Sequence, residues 1–197
     1  MKIIHIHFVG LIALVLAAGT DAQNAPAPAE PPSPRATTVP ASEIQGAVER
    51  NTSGAVSDAV LRVLSIDGRY NVGVSVVCRS QVDGKTPPDA IVHDAITEVY
   101  QIIEGEGVLV TGGTIESAVA LAADDPGVRQ EFGPSSEGEL IRDGTRQHVG
   151  SGDIVVIPPH TAHGFAEITT KRIVYTLIRV DPQRLLELRD RPAETSR

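Results

Sequence analysis

The chain has 197 residues, 41% of them apolar, and 17 Lys and Arg against 25 Asp and Glu for a net charge of −8. That length suits one packed domain plus an extension, and an acidic chain without a basic cluster is a poor partner for nucleic acid or anionic lipid. Aromatic residues make up only 3%, while 18 Gly and 14 Pro favour many turns and short strands over a helix bundle.

The N-terminus reads as an export signal. Lys2 supplies a positive charge, residues 8–18 are an apolar run, and the small residues Ala17-Ala18-Gly19-Thr20-Asp21-Ala22 follow. This is the order of a secretory signal peptide. The run is too short for an ordinary bilayer span, and no second one follows. Leu16-Ala17-Ala18-Gly19 is similar to a bacterial lipoprotein signal, but Thr20 stands where the lipidated cysteine would be. The expectation is a cleaved segment 1–22 and a soluble secreted or periplasmic protein starting near Gln23, without stable membrane insertion after cleavage. The competing reading is an uncleaved anchor. Cleavage removes Lys2 and Asp21, so the net charge does not change.

Residues 23–41 are rich in Ala and Pro and are predicted to be an extended linker. A single domain is expected over 42–190, with its core at about 60–180. Residues 42–50 read as a short helix: Ser42 and Gln45 have capping-box spacing, and Ile44, Ala47 and Val48 share a face. Asn51-Thr52-Ser53 is a glycosylation sequon, relevant only in a eukaryotic secretory route. Strands are predicted at 59–66 and 71–78, around the hairpin signal Asp67-Gly68-Arg69. Further strands fall at 98–103, 108–111, 154–157, 164–168 and 173–180, and 182–189 reads as a closing helix. Residues 115–140 carry mixed signals, with a turn at Asp124-Asp125-Pro126-Gly127. Cys78, the single cysteine, excludes an intrachain disulfide and lies in a strand-like run, where a buried apolar role outweighs a reactive one. Short strands at this spacing suggest a sandwich or small barrel.

Four histidines lie beyond the signal segment: His93, His148, His160 and His163. His5 and His7 form a His-x-His pair that leaves with the signal, and His148 is expected to be exposed. The stretches that carry chemistry are 91–105, containing His93, Glu98, Tyr100 and Gly105, and 152–165, containing Gly152, Pro158, His160 and His163. Together they resemble the two motifs of the cupin family. The first has a His-x-His pair, a Glu a few residues on, and a Gly seven residues beyond it. The second has a Gly, a Pro six residues later, a turn, and a His opening the next strand. His93 takes the place of the second His of the pair, Glu98 that of the Glu, and Gly105 that of the turn Gly; Gly152, Pro158 and His163 fill the second motif. Ile91 stands where the first His should be, His160 where the turn usually has Gly, and Glu167 where Asn is frequent. The resemblance covers about residues 60–180. It implies an all-β fold, a cupin-type double-stranded β-helix (jelly-roll) barrel, here with short N- and C-terminal helices, and a divalent transition metal (Fe, Mn, Ni, Zn or Cu) on His93, Glu98 and His163.

Strand periodicity agrees with this. Alternation puts Glu98, Tyr100 and Ile102 on one face, and His163 with Phe165 on one face. A bare carboxylate in an apolar barrel is costly, and a cation would offset that cost. Two His and one carboxylate with open positions suit Fe(II)-type chemistry and other first-row metals. With Ile91 in the pair, three readings stay open: a three-ligand site, a site completed by His160, or a lost metal site that keeps its cavity.

The leading expectation is an exported metal-dependent enzyme on a small organic molecule, of oxygenase, lyase or isomerase type, with Tyr100 and His160 as candidate catalytic groups for proton exchange. The alternatives are a non-catalytic small-molecule or metal-binding barrel and a metal-free isomerase-like one. Cupin domains commonly pair, so a homodimer is also an expectation; the apolar strand 173–180 would serve an interface or a core equally well.

Overall fold

Alternating apolar residues and tight turns shape most of this chain. The computed structural model describes residues 35–50, 54–83, 89–139 and 141–191; the expected signal peptide, most of the expected linker and the sequon lie outside them. The chain divides into two units, Met1–Thr37 and Thr38–Arg197, and the architecture below is that of the second.

Helix α1 (Ala41–Arg50) precedes a set of antiparallel strands: β1 (Val56–Ile66), β2 (Tyr70–Val82), β3 (Ala90–His93), β4 (Thr97–Glu104) and β5 (Glu106–Thr111). The short β6 (Thr114–Ile115) and β7 (Val119–Ala120), a π-helical turn (Val128–Phe132), β8 (Ser135–Gly138) and β9 (Ile141–Arg142) follow. The unit is completed by β10 (Thr145–Gly150), β11 (Ile154–Ile157) and β12 (His163–Asp181). Ten strands form one sheet and β6 pairs with β9 in a second. Strand β12 holds the large sheet together by pairing with β2, β3, β4 and β5. The result is an antiparallel jelly-roll barrel.

Local chemistry explains the turns. Asp67 (φ 50°) and Gly68 (φ 65°) are both left-handed, and the Arg69 amide closes the β1–β2 turn on the Ile66 carbonyl at 2.9 Å. Gly105 joins β4 to β5 at φ 81°; a side chain there would place Cβ 2.2 Å from the Arg172 carbonyl oxygen.

The barrel interior is filled by Tyr100, Leu109, Phe165, Ile173, Tyr175 and Leu177. Outside the sheet, α1 covers Leu61, Val76, Cys78 and Val174 with Ala47, so Cys78 is the buried small residue expected of it. The Arg62 guanidinium fixes the helix to β1 by donating to both oxygens of Glu43, at 2.5 and 2.9 Å. No helix among the described residues is long and apolar enough to cross a membrane.

Two expectations are corrected. The strands predicted at 164–168 and 173–180 are one strand, β12, whose register against β2 shifts between Ile168 and Arg172; a bulge lets a strand bend without ending. The predicted C-terminal helix is absent from 182–189. Its amides go elsewhere: Leu186 donates to Asp181 Oδ2 (2.9 Å), Glu187 to the Arg129 carbonyl (2.9 Å) and Arg189 to the Val63 carbonyl (2.9 Å). Arg184 is left-handed at φ 58°, which no helix accommodates. Leu186 packs with Val60, Val63 and Ile96, so one leucine anchors the segment while Leu185 and Leu188 stay exposed.

Candidate metal centre

Alternation along β4 turns Glu98, Tyr100 and Ile102 into the barrel and leaves Gln101 and Ile103 exposed. His93 ends β3 and His163 begins β12, where His163 lies in register with Ile91 on one side and Thr111 on the other. The three side chains converge although far apart in sequence, and only 2–4% of each residue is exposed. His93 Nε2 is 3.3 Å from Glu98 Oε1, and His163 Nε2 is 3.3 Å from Glu98 Oε2. One ligand atom from each residue lies within 4.8 Å of the others.

The other ring nitrogens are already committed. His163 Nδ1 lies 3.0 Å from the Thr161 carbonyl oxygen, which only accepts, so that nitrogen carries the proton. His93 Nδ1 lies 2.8 Å from Ser135 Oγ, and the Ser135 hydroxyl donates to the Gly133 carbonyl at 2.9 Å, so the ring donates to Ser135. In neutral imidazoles each Nε2 is then a lone pair. Two lone pairs facing two carboxylate oxygens repel unless a positive species sits among them. Ion–ligand distances of roughly 2.0–2.2 Å set neighbouring ligand atoms roughly 3–3.5 Å apart, which the two Nε2–Oε separations match. The donor set and its outer hydrogen bonds therefore fit a divalent first-row ion. Phe132, from the π-helical turn, stacks on His93 at 6.0 Å between ring centroids.

Positive charge is also built into the wall. Arg179 on β12 is 4% exposed. Its Nε donates to Glu98 Oε1 at 3.0 Å, Nη1 to Ser75 Oγ at 3.0 Å and Nη2 to Asp58 Oδ2 at 2.5 Å. The Tyr100 hydroxyl donates to Glu98 Oε2 at 2.9 Å. Burial alone would raise the Glu98 pKa, but without an ion Arg179, together with His93 and His163 acting as hydrogen-bond donors through Nε2–H in acid, outweighs it and holds the carboxyl well below its usual range. Burial lowers His93 against the pull of Glu98, which favours the neutral ring. Burial and the Glu98 charge push the Tyr100 phenol well above its ordinary value, so its proton stays in place.

Of the residues singled out from the sequence, His93, Glu98 and His163 come together and Tyr100 adjoins them. His160 is exposed at φ 61°; its amide donates to the His93 carbonyl at 2.7 Å, and it is not part of the three-residue cluster. His148 is exposed on β10, 3.9 Å from Glu106. The sequence reading missed Arg179, Asp58, Ser75 and Ser135. Arg179 had a signal: on β12 it continues the inward phase of Ile173, Tyr175 and Leu177, where a charge is out of place. Ser135 lies in the stretch whose elements the sequence did not define.

Farther in, the Tyr100 ring stacks on Tyr175 at 4.3 Å, and the Tyr175 hydroxyl accepts from Arg79 Nε at 3.0 Å. A cavity of about 910 Å³ is bounded by Arg79, Ile91, Val119, Glu137 and neighbouring residues, and by none of the three clustered ones. Ile91 connects the two regions, since it lines the cavity and pairs with His163.

A family model described as an AraC-like ligand binding domain matches residues 137–196, which takes in β12 and His163. The fold is an antiparallel jelly-roll barrel. Comparison with curated proteins gives no match. Among solved structures, the chain is similar to BH2720 from Bacillus halodurans, at 14% identity over 78% of this chain and 92% of that one, with a TM-score of 0.46. An oxalate decarboxylase from Lactobacillus farciminis matches at 10% identity over 68% of this chain and 31% of that one, TM-score 0.41. An oxalate oxidase matches at 18% identity over 68% and 55%, TM-score 0.38. The chain thus spans less than two thirds of the last two proteins.

Proposed function

We propose that this cupin-type barrel is an exported protein that holds one divalent transition-metal ion on His93, Glu98 and His163 and acts on a small organic molecule, as an oxygenase, lyase or isomerase. The observation that carries the reading is the convergence of two Nε2 lone pairs on one buried carboxylate, each ring fixed by a bond at Nδ1. When bound, the ion supplies Lewis-acid polarisation of a substrate oxygen. The chain's own groups do the rest. Tyr100 and Arg179 orient Glu98 and keep it ionised. Ile91, in place of a fourth protein ligand, pairs with His163 and lines the cavity, the space from which a small molecule would approach. His160, exposed and hydrogen-bonded through its amide to the His93 carbonyl, is the group available for proton exchange with solvent. Export is supported by Lys2 and the apolar run 8–18, and predicts a mature N-terminus near Gln23 by N-terminal sequencing of protein recovered from its host.

A second reading, a non-catalytic ligand-binding barrel, is favoured by Ile91 in a ligand position and by the match to a ligand-binding domain. The discriminating experiment incubates metal-loaded and chelator-treated protein with a panel of small organic acids, phenols and sugars and follows dioxygen uptake and product formation. Turnover that disappears on chelation supports the enzyme. Ligand-dependent thermal stabilisation without turnover supports the binding barrel.

A further inference from the structure

We infer that Arg179, braced by Asp58 and Ser75, is a positioning residue that fixes the rotation of the Glu98 carboxylate so that one oxygen faces each histidine. The inference rests on the metal reading of His93, Glu98 and His163. The terminal torsion of a glutamate is soft, with broad, roughly two-fold preferences. Left alone, the Glu98 carboxylate would sample many orientations, and only some present Oε1 to His93 and Oε2 to His163. Here each oxygen is held by a different donor: Arg179 Nε on Oε1 at 3.0 Å and the Tyr100 hydroxyl on Oε2 at 2.9 Å. A planar guanidinium fork suits this task, because one group fixes its own plane through several bonds at once. Its remaining donors reach Ser75 Oγ and Asp58 Oδ2, on β2 and β1, so the clamp ties Glu98 to two further strands. The Asp58 carboxylate also balances the arginine, so that Glu98 keeps its charge for an ion. Asp58 Oδ1 is buried without a hydrogen-bond partner among the described residues, a cost that proteins rarely tolerate without a purpose. Asp58 is committed to Arg179 rather than to a network of its own.

The test uses Co²⁺ alone as probe, because its visible spectrum reports ligand geometry independently of any activity. The variants are Arg179→Lys, which keeps the charge but loses the fork, and the double variant Asp58→Asn/Arg179→Met, which removes both charges together and strands neither. Near-ultraviolet circular dichroism and the melting temperature identify the variants that retain the fold. The expected result is a Co²⁺ affinity weakened about 10–100-fold, the range for losing an outer partner of a metal ligand. A shifted Co²⁺ spectrum should accompany it in a folded protein, with Arg179→Lys intermediate between wild type and the double variant. Wild-type affinity and spectrum in a folded variant overturn the inference alone. Failure of wild type to bind Co²⁺ overturns the metal reading and this inference with it.

Discussion

The two histidines of the cluster are supported in different ways. Glu98 belongs to the ladders of β4 with β11 and β12, and His163 to the pairing of β12 with β3 and β5, where strand alternation decides where side chains point. His93 is set by an irregular stretch: Ser135 from β8 holds its Nδ1, and Phe132 from the π-helical turn stacks on its ring. A regular frame fixes direction through periodicity, so its contribution survives small changes. The irregular wall fixes direction through single contacts, and each can be removed without disturbing a sheet.

The comparison can be broken from either side. The largest effect is expected of His163→Ala, which removes a ligand: metal binding by calorimetric titration should fall beyond the roughly 10–100-fold that loss of an outer partner costs. Next is Gly105→Ala, in the turn between β4 and β5 seven residues beyond Glu98, where positive φ and the nearby Arg172 carbonyl leave no room for Cβ. It should cost about 2–4 kcal/mol in urea unfolding while leaving metal stoichiometry unchanged. Ser135→Ala acts only on the irregular side and should weaken metal binding about tenfold, with little change in unfolding. A weaker effect from Ser135→Ala than from a surface substitution would mean that His93 needs no outer support.

Acid offers a gentler probe of the same site in metal-free protein. His93 in the fold lies below its ordinary 6.5 and Glu98 well below its ordinary 4.5. On acidification the unfolded chain therefore takes up these protons before the folded one does. Stability should be full above about pH 6.5, decline first through His93 and then fall further below about 4.5 through Glu98. Glu98→Gln should flatten the lower part of the thermal-melting profile against pH; an unchanged profile would show that Glu98 is not held ionised by the fold.

Much of the frame was legible in the sequence, because a two-residue period and left-handed turn residues act locally. Residues 154–157 were predicted as the strand that β11 forms, and the alternation of Glu98 and Tyr100 against Gln101 was readable for the same reason. Strands β3 and β10 escaped notice: β3 is four residues long, and Thr145 to His148 on β10 are all exposed, so neither shows alternation. The closing helix failed because Leu185, Leu186 and Leu188 mimic a helical face while tertiary partners claim the amides of 186, 187 and 189. Ser135 and the π-helical turn were illegible, since their positions follow from contacts with His93 and the chain terminus rather than from any local pattern. Arg179 was readable as an inward charge, but its partners Asp58 and Ser75 lie more than a hundred residues away, beyond the reach of a periodicity argument.

The central claim is that His93, Glu98 and His163 form a metal site. Elemental analysis of purified protein, loaded with a divalent transition metal and freed of excess, tests it most directly when wild type is compared with Glu98→Gln. The account predicts about one ion per wild-type chain and essentially none in a folded Glu98→Gln variant, as expected when the only charged ligand is lost. A wild-type chain that retains no ion, or a variant that retains as much as wild type, would contradict it.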